Sequence, residues 1–352
     1  MDTLLEKFAK LGCDNAPGQE GRQKAAALEL RGEKLSGTPV DFSHGDVDAH
    51  PPIPGTLADF VAGVEKIGGH QAYTEYRGGK STREDLARKI SAFTGAAIDP
   101  EENIILTPGT QGALFLAIGA NMVPGDKVAI VEPDYFANRK LVEFFGGELC
   151  PIQMDYYGAQ DQGRAGLDLT GLEQAFQSGV KLFLFSNPNN PTGVIYSREE
   201  IVKIASLAKE YGATLIVDEL YSRQVFDGRA YTHLCAQPER PDNLVTIIGP
   251  SKTESLSGYR LGVAFGSAAI IERMEKLQAI VSLRAPGYCQ AVFASWFAEP
   301  QGWMEQRVAD HQAIRDSLLS KFLACPGVTA RTTEAGSYLF PKLPPLAVSG
   351  ED

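Results

Sequence analysis

Short apolar runs without polar alternation set the rhythm of this chain between residues 103 and 266. They are 103–106 (NIIL), 127–131 (KVAIV), 181–185 (KLFLF), 214–217 (TLIV) and 244–249 (LVTIIG). Runs this short, rich in β-branched and aromatic residues, read as strands buried on both faces. Segments of helical length separate most of them. One is the apolar stretch 112–121; another is 197–211, opened by Ser197 three positions ahead of Glu200 in a capping-box pattern. Strands alternating with helices predict an α/β fold, a mostly parallel sheet covered by helices on both faces.

The flanks follow a different pattern. Residues 1–37 are charged and Ala-rich with a helix predicted at about 22–31, and 40–52 (VDFSHGDVDAHPP) reads as a short strand entering a loop. After Gly78 and Gly79, Ser81 or Thr82 is positioned to cap a helix with Glu84 and Asp85 in its first turn. Downstream, 263–266 is a further apolar segment. Helices are predicted at about 268–281, 291–299 and 302–324, interrupted at 284–290, and 328–331 (VTAR) and 337–340 (SYLF) read as strands. The predicted organisation is therefore an N-terminal arm with part of a small domain at 1–52, a large domain at 53–290, and a small α+β C-terminal domain at 291–352 that reads as truncated.

Composition narrows the function classes. A net charge of −11 without clustered Lys or Arg argues against nucleic acid or an anionic membrane as partner. The five cysteines are scattered, with no CxxC pair, as expected of reduced thiols in a cytoplasmic protein. The start MDTLLEKFAK lacks the apolar core of a signal peptide, and no stretch approaches a membrane span. His44 and His50 lie in a loop without partners at ligand spacing, so loop surface is the better reading and no metal is expected.

Candidate chemistry gathers where strands end. In open α/β sheets ligands collect beyond the carboxyl ends of strands, and Tyr135, Asn190, Asp218 and Lys252 all fall there. Lys252 reads either as a surface lysine beside Ser251 or as a desolvated amine able to form a Schiff base. The turn 107–111 (TPGTQ), between strand and helix, is either an anion site at a helix start or plain strand-to-helix architecture. It matches neither GxxxxGK[ST] nor GxGxxG. Tyr73 and Tyr76 read first as packing residues.

In order and spacing, NPNNPTG (187–193), VDELY (217–221) and SKTESLSGYRLG (251–262), supported by TPGTQGAL and PDY, resemble the class I and II aminotransferases. The similarity to these fold type I, pyridoxal-phosphate-dependent, aspartate aminotransferase-like enzymes runs over about 40–340. The resemblance implies an enzyme that moves an amino group from an L-amino acid to a 2-oxo acid by a ping-pong route through a Schiff base at Lys252. Asp218 would hold the ring nitrogen's proton. Asn190 and Tyr221 would bond the ring's phenolic oxygen, and Tyr135 would stack on its face. Gly109, Thr110, Gln111, Ser251 and Arg260 would hold the phosphate. Tyr73 would reach the phosphate of a second subunit, implying a homodimer with shared sites; Gly45 would lie beside the substrate carboxylate, with Asn190 also on the substrate side. Arg284 would meet an acidic side chain, or else is an exposed helix-end arginine. Gly249 departs from the pattern, since relatives often carry a Ser there. The family's carboxylate-binding arginine has no counterpart before the chain stops. A lyase or decarboxylase using the same cofactor, and a non-catalytic regulatory module, are the alternatives.

Overall fold

The computed structural model describes residues 3–11, 49–68 and 73–345. Gly45, His44, Cys13, the helix expected near 22–31 and the strand expected near 40 lie outside the described residues. At the centre is a seven-stranded sheet in the order β1-β7-β6-β5-β4-β2-β3. The strands are β1 (Ile104–Pro108), β2 (Lys127–Glu132), β3 (Glu148–Gln153), β4 (Leu182–Ser186), β5 (Thr214–Asp218), β6 (Leu244–Ile248) and β7 (Leu261–Gly266). The pairs β2–β3, β2–β4, β4–β5 and β5–β6 are parallel, while β7 runs antiparallel to both neighbours, β6 and β1. The sheet is thus mostly parallel, with a single reversed strand.

Both faces are covered, which explains the apolar runs. In β4, Phe183 and Phe185 enter one core cluster while Leu182 and Leu184 enter the other; in β6, Leu244 and Ile248 oppose Val245 and Ile247 in the same way. Successive strand side chains point to opposite faces, so a strand buried on both sides has no polar period. Each such Leu, Ile or Phe contributes about 1.5–3 kcal/mol by leaving water.

The first face carries α3 (Lys80–Thr94), α6 (Leu169–Gln177) and α7 (Arg198–Tyr211), with Trp296 fully buried among them. The second carries α4 (Gly109–Gly119), α5 (Phe136–Phe144) and α8 (Ala268–Val281). The remaining described helices are α1 (Thr3–Leu11), α2 (Thr56–Gly68) and α9 (Trp303–Leu323). Helix α7 starts as its sequence predicts: Ser197 accepts from Glu200 N while the Glu200 carboxylate bonds Ser197 N, completing the capping box.

Other expectations are corrected. Helix α3 begins at Lys80 after Gly79, with no side-chain cap, so neither Ser81 nor Thr82 caps it. The stretch expected as a helix at 291–299 is instead a 3-10 turn, Tyr288–Ala294. Residues 328–331 and 337–340 form no strands. That segment makes isolated bridges, Val225 to Ala335 and Thr329 to Lys342, and docks on the NPNNPTG turn through Glu334 N and Ala335 N to Gly193 O.

Candidate functional site

Strand direction decides where the site forms. Because β7 alone is reversed, the carboxyl ends of β1, β6, β5, β4 and β2 share one edge with the amino end of β7. Along that edge come Gly109–Gln111 after β1, Arg260 before β7, Ser251 and Lys252 after β6, Asp218 closing β5, Asn187–Asn190 after β4 and Tyr135 after β2.

At the β1–β7 end, glycines bring backbone close enough to build an anion cradle. A Cβ on Gly262 would lie 2.3 Å from Gly109 C and 2.4 Å from Thr110 N, and one on Gly109 would lie 2.6 Å from Arg260 Nη2. So α4 starts directly on the β7 backbone with a guanidinium against its first residue. Its first turn holds no acidic residue and no side chain caps it, leaving the N-terminal N–H groups and the helix dipole facing the edge. Arg260 is exposed, takes a left-handed φ of +53°, and donates from Nη1 to Ser257 O at 2.9 Å.

The β5–β4–β2 end is built from half-buried carboxyls. Asp218 accepts from Leu220 N at 3.0 Å, and among the described residues no cation pairs with it. Burial, followed by the nearby charge of Glu219, raises it to about 6. Asp134 accepts from Tyr135 N at 2.6 Å and from Ser186 N and Oγ at 3.0 and 2.5 Å; burial outweighs these bonds and raises it to about 7. Tyr135 donates to Gln111 Oε1 at 3.1 Å, linking the two ends, and burial pushes its hydroxyl up to about 12. Asn190 is fixed by its own N–H to Ser186 Oγ at 3.0 Å. The Tyr221 hydroxyl is buried, with Ser337 and Tyr338 beside it as polar neighbours, and burial holds it well above its usual value.

Between these ends stands Lys252. Burial, then the charge of Arg260, pulls its amine below the usual value, as suits a nucleophilic lysine. Cradle, buried Tyr221 hydroxyl and uncompensated Asp218 fit a ligand with a phosphate at one end and a protonated ring nitrogen at the other. Pyridoxal phosphate is such a ligand.

The edge gathers Gly109, Thr110, Gln111, Tyr135, Asn190, Asp218, Tyr221, Ser251, Lys252 and Arg260. Tyr73 and Arg284 lie elsewhere. Tyr73 is 71% exposed, and the Arg284 guanidinium stacks 4.3 Å over its ring and 5.0 Å from that of Tyr76. Tyr76 is exposed too, so neither tyrosine packs in the core. Arg284 is half-buried rather than an exposed helix end, and its Nε is buried without a partner.

Sequence reasoning missed Asp134, Asn189 and Tyr338. Asp134 follows β2 much as Asp218 ends β5, a parallel visible in EPDYF. Asn189 supports the turn, donating to Pro133 O at 3.1 Å and accepting from Thr192 Oγ1 at 2.6 Å. Behind Asp218, donor atoms of Glu219, His233 and Cys235 lie within 4.8 Å of one another. Glu219 and His233 are already hydrogen-bonded at 2.6 Å, closer than the roughly 3 Å that separates two ligands of one tetrahedral ion.

Comparison with known proteins gives the family and the fold. The family model described as aminotransferase class I and II matches residues 41–350. An aspartate aminotransferase of Sulfolobus acidocaldarius is 28% identical over 276 residues, covering 78% of this chain and 68% of its own. The crystal structure of an aspartate aminotransferase from Rhodobacter sphaeroides superposes with a TM-score of 0.90 at 63% identity, covering 98% of this chain and 85% of its own. The fold recurs at 21% identity in the Rhizobium meliloti aspartate aminotransferase, with a TM-score of 0.78, covering 96% of this chain and 78% of that one.

Proposed function

Given that the chain belongs to the aminotransferase class I and II family, and so is a pyridoxal-phosphate-dependent transferase acting on amino acids and 2-oxo acids, we propose that Lys252 is the residue on which its chemistry turns. The observation that carries this reading is the position of Lys252, desolvated between an anion cradle and an uncompensated half-buried carboxyl. The bound cofactor supplies an electron sink for bond breaking at the substrate Cα. Lys252 would hold the cofactor covalently and would move the proton to and from that Cα as general base and acid. Asp218 holds the ring nitrogen's proton. Asn190 and Tyr221 bond the phenolic oxygen, and Tyr135 stacks on the ring. Gly109, Thr110 and Gln111 present backbone N–H groups to the phosphate, and Ser251 and Arg260 add hydroxyl and charge.

The reaction runs in two halves, amino acid in and 2-oxo acid out, then the reverse. Aspartate is the proposed amino donor, supported by the Rhodobacter sphaeroides relative's name at 63% identity and by the half-buried Arg284, which with Tyr73 would serve the second copy's site and meet a second carboxylate there. Gly45 is assigned to the substrate carboxylate by resemblance alone. The chain acts as a homodimer in which Tyr73 serves the second copy. Exposed Leu57, Val61 and Val64 on α2, and Ile280, Val281 and Leu283 around the end of α8, supply apolar surface for that contact. A large unit at 53–290 flanked by smaller ones accords with a sheet lying wholly within 104–266. A cytoplasmic location is supported by the free thiols of Cys150, Cys235, Cys289 and Cys325. Among the described residues no helix is long and apolar enough to cross a membrane.

The test is spectroscopic. Purified protein loaded with pyridoxal phosphate is expected to show a visible band that aspartate converts to the pyridoxamine form and a 2-oxo acid restores. Lys252→Ala is expected to abolish that band and lower turnover by at least about a thousandfold. Release of ammonia or carbon dioxide without conversion would favour the lyase or decarboxylase reading. A visible band surviving Lys252→Ala would remove the lysine from its role.

A further inference from the structure

The loop that carries Lys252 is held from behind by arginines that do not belong to the cofactor site. Three consecutive residues after the lysine are each anchored. Arg307, on α9 and only 4% exposed, donates from Nη1 to Thr253 O at 3.1 Å and to Ser255 Oγ at 2.9 Å. Its Nη2 bonds Pro51 O, and its guanidinium lies 4.6 Å over the Trp303 ring. Glu254, between those two residues and 1% exposed, pairs with Arg223 Nη1 at 2.6 Å and accepts from Trp296 Nε1 at 3.1 Å; Arg223 is itself held by Glu299 at 2.7 Å.

Such anchoring answers a local problem. Ser255 takes a left-handed φ of +58°, while its N–H bonds Lys252 O at 3.1 Å and Leu256 N bonds Pro250 O at 3.0 Å. A non-glycine residue in that region costs of order 1–3 kcal/mol and persists where its surroundings over-determine it. The Ser255 N–H to Lys252 carbonyl bond makes the strained residue set the backbone from which the lysine projects. Arg307 reaches three acceptors at once, Thr253 O and Ser255 Oγ from Nη1 and Pro51 O from Nη2, which the planar guanidinium fork does and a single ammonium does poorly.

We propose that Arg307 is a positioning residue for Lys252. By fixing Thr253 and Ser255 it sets the height and direction of the amine at the sheet edge, and through Pro51 it ties that loop to the segment that leads into α2. The proposal rests on Lys252 carrying the chemistry, and it adds a residue from α9 that never touches cofactor or substrate.

Arg307→Lys keeps the charge and loses the fork. Arg315→Lys is the control: Arg315 is another buried arginine of α9, bonded to Asp227 at 2.6 Å and to Thr333 O at 2.8 Å, with no contact to the lysine loop. In cofactor-loaded protein, the pH midpoint of the visible band is expected to move by about half a unit or more in Arg307→Lys, and by less in the same direction in Ser255→Ala. It is expected to stay in place in Arg315→Lys, whose melting temperature alone falls. In cofactor-free protein, amide exchange over 253–256 is expected to quicken about tenfold in Arg307→Lys only. An unmoved midpoint with unchanged exchange, or an equal shift in Arg315→Lys, overturns the positioning role and leaves Lys252 untouched. A wild-type protein without the visible band overturns both readings together.

Discussion

At the β1–β7–β6 end of the cleft, positive character is assembled from the start of α4 and from Arg260, which stands in solvent and donates to Ser257 O. At the β5–β4–β2 end, Asp218 and Asp134 are half-buried and raised above their ordinary values, to about 6 and about 7. The first end needs little from its ligand, since water solvates the guanidinium and the exposed N–H groups. The second is strained until something cationic arrives, because its hydrogen bonds offset only part of the carboxylates' desolvation and no cation offsets the rest. A cofactor anionic at one end and protonated at the other meets both, yet its absence is felt at one end only. Cofactor-free protein is therefore expected to be destabilised by Asp218 and indifferent to Arg260.

The most forceful way to break that contrast is Asp218→Asn, which preserves the oxygen that accepts from Leu220 N. A half-buried carboxyl raised to about 6, against an ordinary 3.8, costs up to about 3 kcal/mol where it must ionise. The folded value lies above the unfolded one, so its penalty is absent below about pH 4, grows as the pH rises to about 6, and is complete above that. Urea unfolding of cofactor-free protein is expected to find Asp218→Asn more stable than wild type at pH 8 and equal to it at pH 3.5. Turnover of the loaded variant is expected to fall by about a hundredfold or more, as its ring nitrogen loses a charged partner. Equal stabilities at pH 8 would mean that the two ends do not differ.

Arg260→Met probes the opposite end. It is expected to weaken cofactor binding by about 2 kcal/mol, roughly thirtyfold, by removing a charge-assisted phosphate contact. Unfolding of the cofactor-free protein is expected to change by less than about 0.5 kcal/mol, the usual effect of an exposed substitution. Equilibrium dialysis and urea titration separate the two quantities. A loss of apo stability comparable to the loss of affinity would merge the two ends into one.

The two ends also differed in how far the sequence disclosed them. The cradle was readable because strand, glycine turn and helix are local, and the sheet because doubly buried strands carry no polar alternation. Strand β3 was missed: ELCPIQ contains Pro151, which an edge strand tolerates and a central one does not, and its burial is mixed. Asp134 was passed over because an acid beside a tyrosine after a strand looks like a turn residue. Only the tertiary pairing of its oxygens with Ser186 separates the two cases. The strands expected at 328–331 and 337–340 failed for a related reason: Glu334, Ala335 and Gly336 between them bond Gly193 O and Gln224 O, and Arg331 is buried against Tyr156 O. Asp218, Asn190 and Lys252 were legible as a group because each follows an apolar run, and their roles came from resemblance rather than spacing.

Gly249→Ser sharpens the geometry of the cradle. A Cβ there would stand 2.7 Å from Thr110 Cγ2 and 3.3 Å from Leu261 O, so a family-like serine does not fit beside this threonine without movement. The single substitution is expected to cost between about 1 and 2 kcal/mol of stability. Combined with Thr110→Ser, which removes the opposing methyl, it is expected to recover most of that loss in thermal unfolding. An unchanged melting temperature in Gly249→Ser would mean that α4 sits more loosely on the sheet than its contacts imply.

The smallest expected effect lies outside both ends, at Arg284. Its guanidinium stacks on Tyr73 at 4.3 Å, and its Nε is buried without an acceptor, so the group is held flat with donor capacity unspent. A substrate carboxylate satisfies such a donor with charge assistance, while a substrate lacking a second carboxylate leaves it as it was. Arg284→Ala is therefore expected to lower kcat/KM for aspartate and glutamate by about tenfold, close to 1.4 kcal/mol, and to leave alanine unaffected. Because stacking on exposed tyrosines contributes only about 0.5–1 kcal/mol, stability is expected to change little. Unchanged kinetics with both dicarboxylates would reduce Arg284 to a stacking partner of Tyr73 and leave substrate choice to residues on the other side of the cleft.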